Sequence, residues 1–306
     1  MARSGTAASL FITAVAALAA GPPPETLPRL ASPTGHYSLK LNSLSTPEAQ
    51  TMGLFFKARI DDGPVLRMLL DSGAQHIMLD KRAAAKSGRA AGPGLELVGV
   101  GPSSKVCRRA TAGRLEIGDL VLADCGILVV DGRIQDGVDG IIPMSVFAGF
   151  LVRLDVSRKV LDLDAYPPDP PVQAAGYMPV RSDNRLLFLH TVVNETQPGY
   201  VLLDTGATYN ALSPAAARAS RNYWRLDEAI GLRGGAGGIE GFPLAPGVHF
   251  RCGAQLFSAD PAVVVDLSDF ARHHHFEISG ILGYPALRNT IVTIDYRDAL
   301  IRIEGK

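Results

Sequence analysis

Two aspartates in this chain each follow a short apolar run and precede a small hydroxyl residue and a glycine. Asp71 stands in Leu-Leu-Asp-Ser-Gly-Ala, and Asp204 stands in Leu-Leu-Asp-Thr-Gly-Ala. An apolar strand that ends in this way places a carboxylate at the edge of a buried sheet, where the carboxylate loses water. One such triplet is common turn chemistry, whereas two with matched surroundings indicate a paired site.

Two carboxylates that face each other in a desolvated site cannot both ionise cheaply, so they share one proton. We therefore expect Asp71 and Asp204 to act together. The ionised carboxylate would deprotonate a water, and the protonated one would donate to the carbonyl under attack. This is amide hydrolysis without a covalent intermediate, a metal or a cofactor. Because the dyad titrates as a unit, neither aspartate is assigned as the base.

The residues after each aspartate are expected to support the dyad. Ser72 and Thr205 would brace the two loops with their hydroxyls. Gly73 and Gly206 would leave room for backbone amides to donate to the carboxylates. The alternative is two merely structural Asp-Gly turns, which the matched contexts disfavour.

The hairpins that lead into the two aspartates superpose at one offset, 204 − 71 = 133. The same offset relates two Ala-rich segments, 81–87 and 214–220. Asp80 and Ser213 precede these segments and are suitable N-caps, so each half should have one short helix after its acidic turn.

A second motif pair contains Gly140, in Asp-Gly-Ile-Ile-Pro-Met, and Gly280, in Ser-Gly-Ile-Leu-Gly-Tyr. Their offset is 280 − 140 = 140, so the second half carries a net insertion of seven residues, 140 − 133 = 7. Each glycine lies 15 residues before an aspartate, since 155 − 140 = 15 and 295 − 280 = 15. We interpret Asp155 and Asp295 as hydrogen-bonding residues at strand ends, and the whole pattern as a tandem duplication.

The composition favours a turn-rich, mostly β globular protein. The 306 residues include 32 glycines and 21 prolines, and short Val/Leu/Ile runs alternate with turn residues. Lys+Arg and Asp+Glu are both 30, so there is no basic excess that would favour a nucleic-acid partner.

With these motifs, the chain resembles the aspartic proteases. Asp-Ser-Gly-Ala and Asp-Thr-Gly-Ala, each followed by Gly-Ile-Ile or Gly-Ile-Leu, are similar to the active-site and second-glycine motifs of that family. The halves are closer to retropepsin-like (retroviral-type) domains than to pepsin, because each is short and Ala follows the Gly. The resemblance covers residues of about 50–165 and 185–306.

The resemblance implies an all-β, two-lobed, acid-protease-like fold, in which each lobe is a closed β-barrel-like sheet with one or two short helices. It implies an aspartic endopeptidase that acts on a peptide or protein substrate, as a monomeric pseudo-dimer that supplies both aspartates. By resemblance, the glycine-marked stretches would be flaps over the substrate, with Gly99, Val100 and Gly101 in one and Gly234, Gly235 and Gly237 in the other. Two alternatives stay open: a catalytically weak or inactive peptide- or partner-binding protein on the same fold, and a dimer of two chains with two dyads.

The expected organisation has five parts. They are a signal peptide at 1–20, a Pro-rich linker at 21–35, an N-terminal lobe at 36–165, a Pro-rich interlobe linker at 166–176 and a C-terminal lobe at 177–306. The first part combines one arginine, an Ala-rich apolar stretch and a small-x-small pattern, which is typical of an exported protein, periplasmic or secreted. We expect no stable membrane span after removal of the signal.

Two departures from the family pattern bear on the dyad. Pro143 stands where the second half has Gly283, and this could alter the loop that supports the first aspartate. Ala74 and Ala207 occupy positions where pepsin-like enzymes often have a hydroxyl residue. A missing hydrogen bond to the ionised form should raise the pKa values of the dyad, so we expect a pH optimum less acidic than pepsin's.

The remaining chemistry-bearing residues show no metal pattern. Cys107, Cys125 and Cys252 match no zinc spacing, and two interpretations stay open: a bridge between Cys107 and Cys125, or three buried thiols. The three consecutive histidines at 273–275 are interpreted as a solvated loop within the extra length of the second half, with no metal bound.

Overall fold

A computed structural model describes residues 10–12, 28–30, 35–45, 51–88, 92, 94–98, 104–166, 176–220, 225–234 and 239–305, and only the backbone of 10–12, 95–98, 104–105, 225–234 and 239–241. Short strands dominate both halves, as the alternating apolar pattern predicts. The strands of the first half are β1 Leu10–Ile12, β2 Arg29–Leu30, β3 His36–Lys40, β4 Asn42–Ser45, β5 Thr51–Ile60, β6 Val65–Asp71, β7 Ile77–Asp80, β8 Gly94–Val98, β9 Ser104–Ile117, β10 Leu120–Val130, β11 Gly140–Pro143, β12 Leu151–Asp155 and β13 Val160–Asp164.

The second half also consists mainly of short strands, and it has an additional helix before its second glycine motif. Its strands are β14 Met178–Asp183, β15 Leu186–Val193, β16 Gln197–Asp204, β17 Ala211–Leu212, β18 Arg225–Gly234, β19 Ile239–Ala245, β20 His249–Cys252, β21 Gln255–Ser258, β22 Ala262–Val264, β23 Gly280–Gly283, β24 Thr290–Asp295 and β25 Leu300–Gly305. The helices of the whole chain are α1 Lys81–Lys86, α2 Pro214–Ala219, α3 Ser268–His274 and α4 Tyr284–Leu287, with a 3-10 helix at Met144–Phe147.

The two short helices that follow the aspartates are related by the predicted offset, 214 − 81 = 133. Asp80 accepts a hydrogen bond from the Ala83 amide at 2.7 Å, and Ser213 accepts one from the Ala216 amide at 3.1 Å. Both N-caps predicted from the sequence are therefore confirmed.

The second motif pair has the same place in both halves. β11 runs parallel to β6 and antiparallel to β7, and β23 runs parallel to β16 and antiparallel to β17. A Cβ at Gly140 would lie 2.2 Å from the Met78 carbonyl oxygen, and one at Gly280 would lie 2.2 Å from the Ala211 carbonyl oxygen. Glycine is therefore required where β11 and β23 pass so close to these carbonyl groups.

The first lobe contains a closed ring of six strands, in the order β10–β7–β11–β6–β5–β9 with β9 pairing back to β10. The all-β class is thus as predicted, and the barrel-like form is present in this lobe. In the second lobe the sheet does not close among the described residues, because β18 pairs with β19 and with the short β1 only.

A six-stranded antiparallel sheet joins the lobes, in the order β3–β13–β12–β24–β25–β14. Three of its strands come from each half, and β12 pairs with β24 across the seam. Tyr166 extends this connection, because its hydroxyl accepts hydrogen bonds from the backbone amides of Tyr296 and Arg297 at 3.0 and 3.3 Å. The sequence interpretation, which gave each half a sheet of its own, missed this shared sheet.

All three cysteines are buried, and none of them forms a disulfide. Cys107 lies opposite Val130 and Cys125 lies opposite Ala112 in the β9–β10 ladder. The two thiols are thus five positions apart along the strands, about 16 Å at the usual rise, which is far beyond disulfide reach. Of the two interpretations left open, the structure shows the buried thiols.

The ends of the predicted organisation lie mainly outside the described residues. Within 1–20 only Leu10–Ile12 is described, and its backbone pairs in parallel with β18. Most of the interlobe linker, 167–175, is also outside. In the part of the chain that the structure covers, no helix has the length and apolar character needed to cross a membrane.

Candidate active site

Asp71 and Asp204 are the last residues of two equivalent central strands, β6 and β16. The residues before them, Leu69, Leu70 and Leu203, have no accessible surface, because these strands are buried within their sheets. Both aspartates are likewise completely buried. The apolar runs therefore place two carboxyl groups where water does not solvate them.

The two carboxyl groups meet at the seam between the lobes. A Cβ at Gly73 would lie 2.4 Å from the Asp204 carboxyl carbon, and a Cβ at Gly206 would lie 2.5 Å from that of Asp71. Each glycine thus leaves the space that the carboxyl group of the opposite lobe fills. The structure brings the predicted dyad together.

Backbone amides hold the inner oxygen of each carboxyl group. The Gly73 amide donates to Oδ1 of Asp71 at 2.7 Å. The amides of Gly206 and Ala207 donate to Oδ1 of Asp204 at 2.9 and 2.8 Å. These bonds fix the carboxyl planes, and they leave the Oδ2 atoms for the interaction between the aspartates.

Ser72 and Thr205 form a reciprocal pair of hydrogen bonds across the seam. The Ser72 amide donates to Oγ1 of Thr205 at 3.1 Å, and the Thr205 amide donates to Oγ of Ser72 at 3.0 Å. Each hydroxyl then donates to a carbonyl of the opposite strand, Ser72 to Leu203 at 2.8 Å and Thr205 to Leu70 at 2.9 Å. These four hydrogen bonds, which we call the hydroxyl bridge, have the bracing geometry expected from the sequence.

Burial raises the pKa of Asp204 from 3.8 to about 6. A hydrogen bond with the Asp71 carboxyl group and those from the Ala207 and Gly206 amides oppose this rise, because they stabilise the ionised form. The pair can therefore hold one proton in mildly acidic solution, which is the state that paired acid–base chemistry needs.

Pro143 does not disturb the first half of the site. It pairs with Asp71 in the β11–β6 ladder, as Gly283 pairs with Asp204 in the β23–β16 ladder. Its backbone has φ −66° and ψ 142°, which proline adopts without strain. The sequence suggested that Pro143 alters the loop that supports Asp71, but the proline leaves the register of the strands unchanged.

A second difference between the halves accompanies the proline. The Gly283 amide donates to Oδ1 of Asn210 at 2.9 Å. Ile77 stands at the position equivalent to Asn210, because 210 − 133 = 77. Pro143 has no N–H to donate, and Ile77 has no side-chain oxygen to accept. The first half therefore lacks this hydrogen bond without leaving either group buried and unsatisfied.

Of the six residues predicted to form flaps, the structure describes only Gly234. Gly99, Val100 and Gly101 lie outside the described residues, in the connection between β8 and β9. Gly234 is the last residue of β18, whereas Gly235 and Gly237 also lie outside the described residues. Their contact with a substrate stays a prediction.

Asp155 and Asp295 are the last residues of β12 and β24 and accept hydrogen bonds there, as predicted. Oδ1 of Asp155 accepts hydrogen bonds from the Ser157 hydroxyl and the Arg158 amide, both at 2.9 Å. Oδ1 of Asp295 accepts one from the Asp298 amide at 3.0 Å.

The three consecutive histidines are not a solvated loop, and that interpretation was wrong. His273 and His274 are in α3, and the His274 side chain is completely buried against three phenylalanine rings and Asp183. The net insertion of the second half was the available signal, but a sequence does not show what covers an insertion. Across the described residues, no group of three or more His, Cys, Asp or Glu side chains could hold a metal ion.

Comparison with known proteins agrees with this geometry. Residues 56–146 match the sequence model of a family described as aspartyl protease. The crystal structure of an aspartic proteinase from Irpex lacteus is similar, with a TM-score of 0.55, 14% identity and coverage of 89% of this chain and 97% of that chain. No curated protein matches the chain by sequence. The predicted resemblance to aspartic proteases is confirmed by the family match in the first half and by the fold over both halves.

Proposed function

On the premise of an aspartic proteinase fold with both aspartates in one chain, we propose that this protein is an aspartic endopeptidase that hydrolyses peptide bonds with a water activated between Asp71 and Asp204. The observation that carries the proposal is the position of Gly73 and Gly206, each against the carboxyl group of the opposite lobe. Two buried carboxyl groups supported by backbone amides on both sides have no evident structural purpose, because burying them costs free energy.

The reaction uses one proton shared by the dyad. The ionised aspartate takes a proton from the water as the water oxygen attacks the carbonyl carbon, and the protonated aspartate gives its proton to the carbonyl oxygen. When the resulting gem-diol collapses, the ionised aspartate accepts one hydroxyl proton, the protonated aspartate donates its proton to the amide nitrogen, and the C–N bond breaks. Protons balance, and the dyad returns to its singly protonated state.

The hydroxyl bridge positions this chemistry. Ser72 and Thr205 each follow an aspartate and are each anchored to the opposite lobe. A shift of one lobe relative to the other would separate the carboxyl groups, and small misplacements of reacting groups are costly in rate. The bridge therefore supports the distance on which the shared proton depends.

The competing function is a protein that binds peptides or a partner on the same fold without cleaving them. The test uses the purified protein with a mixed peptide library, with and without pepstatin. We expect cleavage that pepstatin inhibits, and near-complete loss of cleavage in both Asp71→Asn and Asp204→Asn. Wild-type rates in either variant would contradict the shared dyad, and peptide binding without cleavage by the wild type would favour the binding protein.

Export and a monomeric pseudo-dimer are further parts of the proposal. The composition of residues 1–20 supports export to the periplasm or outside the cell. N-terminal sequencing of protein recovered from the periplasm or medium should show that this segment has been removed. Sedimentation equilibrium should give the mass of one chain, whereas the mass of two chains would favour lobes that pair between molecules.

A further inference from the structure

His274, the last residue of α3, is enclosed by aromatic rings. The ring centroids of Phe188 and Phe270 lie 5.0 and 4.6 Å from that of its imidazole, and the centroid of Phe276 lies at 6.1 Å. The side chain has no accessible surface. An ionisable group is therefore buried in an apolar enclosure that the dyad chemistry does not use.

One of the two imidazole nitrogens has a polar partner. Nδ1 lies 2.6 Å from Oδ2 of Asp183, the last residue of β14. Nε2 is buried, and no described residue forms a hydrogen bond with it. The neutral form with its proton on Nδ1 satisfies this arrangement, whereas the imidazolium would bury a second N–H donor without an acceptor.

Among the described residues, the ionisable groups that act on His274 come from β14 and from the end of α3. β14 presents Asp183, the end of α3 presents His273 and His275, and β15 presents the uncharged Phe188. Arg181 of β14 lies farther out, over the ring of Phe276 at 4.0 Å. Burial lowers the pKa of His274, the two neighbouring histidines add to this, and Asp183 opposes it.

Asp183 also lies directly before a strained turn. It pairs with Leu186, so that Asn184 and Arg185 alone connect β14 to β15. Their φ angles are +48° and +69°. Asparagine adopts this left-handed conformation readily, but arginine does so at a cost, so the surrounding contacts must hold the turn in place.

The turn reaches the other lobe. Nη1 of Arg185 lies 3.4 Å from the carbonyl oxygen of Gln75, to which it donates. Gln75 is four residues beyond Asp71, since 75 − 71 = 4. The contacts therefore run from the buried histidine through Asp183 and its turn to the loop that carries the first aspartate.

We propose that His274 and Asp183 form an acid-sensitive clamp that holds the Arg185 turn against the first-lobe loop of the dyad. At neutral pH the uncharged imidazole fits its enclosure. As the pH falls, protonation favours a state in which the His274 side chain leaves the enclosure and its imidazole meets water. The role in catalysis rests on the proposed protease function, in which His274 and Asp183 are positioning residues.

The sign of the effect follows from the lowered pKa of His274. Between the ordinary histidine value and the lower folded value, the unfolded chain binds more protons than the folded one, so stability falls as the pH falls. Asp204 contributes in the opposite direction, because its pKa is raised. A comparison of wild type with a His274 variant at each pH cancels the Asp204 contribution.

The test measures urea unfolding of the full chain between pH 7 and pH 4.5 for wild type, His274→Phe and His274→Asn. Phe keeps the ring packing, and Asn keeps a donor near the Nδ1 position, but neither can be protonated. The control is His275→Asn, which removes a neighbouring imidazole at a left-handed position that Asn tolerates. We expect the unfolding constant of wild type to rise about threefold or more beyond that of either His274 variant as the pH falls, because only wild type takes up a proton at this position on unfolding.

Equal pH dependence in wild type and in the His274 variants would overturn the clamp. A direct readout that needs no variant is the NMR titration of the imidazole, in which the His274 signals should stay those of the neutral form below the ordinary histidine pKa, about 6.5. Protonation of His274 at or above that pH would also overturn it. Neither measurement depends on peptide cleavage, so both keep their meaning if the proposed protease function fails.

The positioning role has its own readout. Arg185→Gly relieves the turn and removes the contact with Gln75. We expect kcat/KM of Arg185→Gly to be lower than that of wild type. Because the clamp acts through this contact, the fall of kcat/KM at low pH should be the same in Arg185→Gly and in the double variant Arg185→Gly/His274→Phe. Additive effects of the two substitutions on the pH profile would contradict the pathway through Arg185.

Discussion

Ser72 and Thr205 each donate a backbone amide to the other's hydroxyl, at 3.1 and 3.0 Å, so that neither residue can complete its hydrogen bonds without the opposite lobe. The hydroxyls are buried, and each also donates to a carbonyl beyond the seam. The arrangement ties the stability of the interlobe contact to the position of the dyad.

Replacing either hydroxyl should therefore affect folding and catalysis together. Ser72→Ala or Thr205→Ala leaves a buried amide without its hydroxyl acceptor and removes one donor from a buried carbonyl, and an unsatisfied buried group costs about 1–3 kcal/mol. We expect that loss in urea unfolding and a lower kcat on a cleaved peptide. Thr205→Ser, which keeps the hydroxyl, is the matched control and should remain close to wild type. Wild-type stability in Thr205→Ala would show that the bridge is dispensable.

Gly73 and Gly206 should tolerate no side chain. An added methyl group would lie 2.4 or 2.5 Å from the carboxyl carbon of the opposite aspartate, closer than non-bonded atoms approach. Gly73→Ala and Gly206→Ala should each lower kcat by about 100-fold or more, because a displacement near 1 Å at a reacting group has that effect. Gly149→Ala is the control, since a Cβ there has no neighbour within 4 Å. Activity near wild type in Gly73→Ala would mean that the carboxyl groups lie farther apart.

The ionisation of Asp204 should make stability depend on pH. Its folded pKa, about 6, is above the ordinary 3.8, so its stabilising contribution is fully present below pH 3.8 and is lost as the pH rises towards 6. Asp204→Asn removes this dependence. We expect the variant to be more stable than wild type at pH 7, with the difference vanishing near pH 4 in urea unfolding. A difference that stays constant over this range would contradict a raised pKa.

The same pKa bears on activity. A dyad that holds its shared proton up to about pH 6 should give a pH–rate optimum less acidic than pepsin's, in line with the alanines at positions 74 and 207. The measurement is kcat/KM against pH for the purified protein. A profile that peaks near pH 2 would contradict the prediction.

Exchanging proline and glycine at positions 143 and 283 should destabilise the protein much more at Gly283 than at Pro143. Gly283→Pro removes the donor to Asn210, and a Cβ there would lie 2.5 Å from the Tyr209 carbonyl oxygen, so this variant should lose several kcal/mol or fail to fold. Pro143→Gly should cost only about 1 kcal/mol, through the greater freedom of the unfolded chain. Urea unfolding of the two variants checks this contrast. Equal losses would indicate that Pro143 is under strain of its own.

The dyad and its supports could be predicted from the sequence because the two halves of the chain repeat the same motifs and can be compared with each other. The offset of 133 residues places α1 and α2 at equivalent positions and pairs Asp71 with Asp204. The shared sheet could not be predicted in this way. The pairing of β12 with β24 joins strands from different halves. The alternation of apolar and polar residues shows which face of each strand is buried, but it does not identify the strand that lies beside it.

The buried histidine shows a second limit. His274 lies in a polar run with His273 and His275, and its neighbours in sequence indicate a solvated segment. The rings that cover it come from β15 and from both sides of the helix end. Burial of this kind depends on long-range packing, which residue types alone do not determine.

The β12–β24 ladder joins the two lobes of one chain, and both aspartates of the pair come from that chain. A site assembled from two separate chains disappears on dilution, when the concentration falls below the dissociation constant of the dimer. In the proposed monomeric pseudo-dimer the lobes meet as the chain folds, so the turnover of each molecule should not depend on the protein concentration. When both lobes are in one chain, one lobe can also change without the other. The first half has Ile77 and Pro143 where the second half has the hydrogen-bonded pair Asn210 and Gly283, and two identical subunits could not differ in this way.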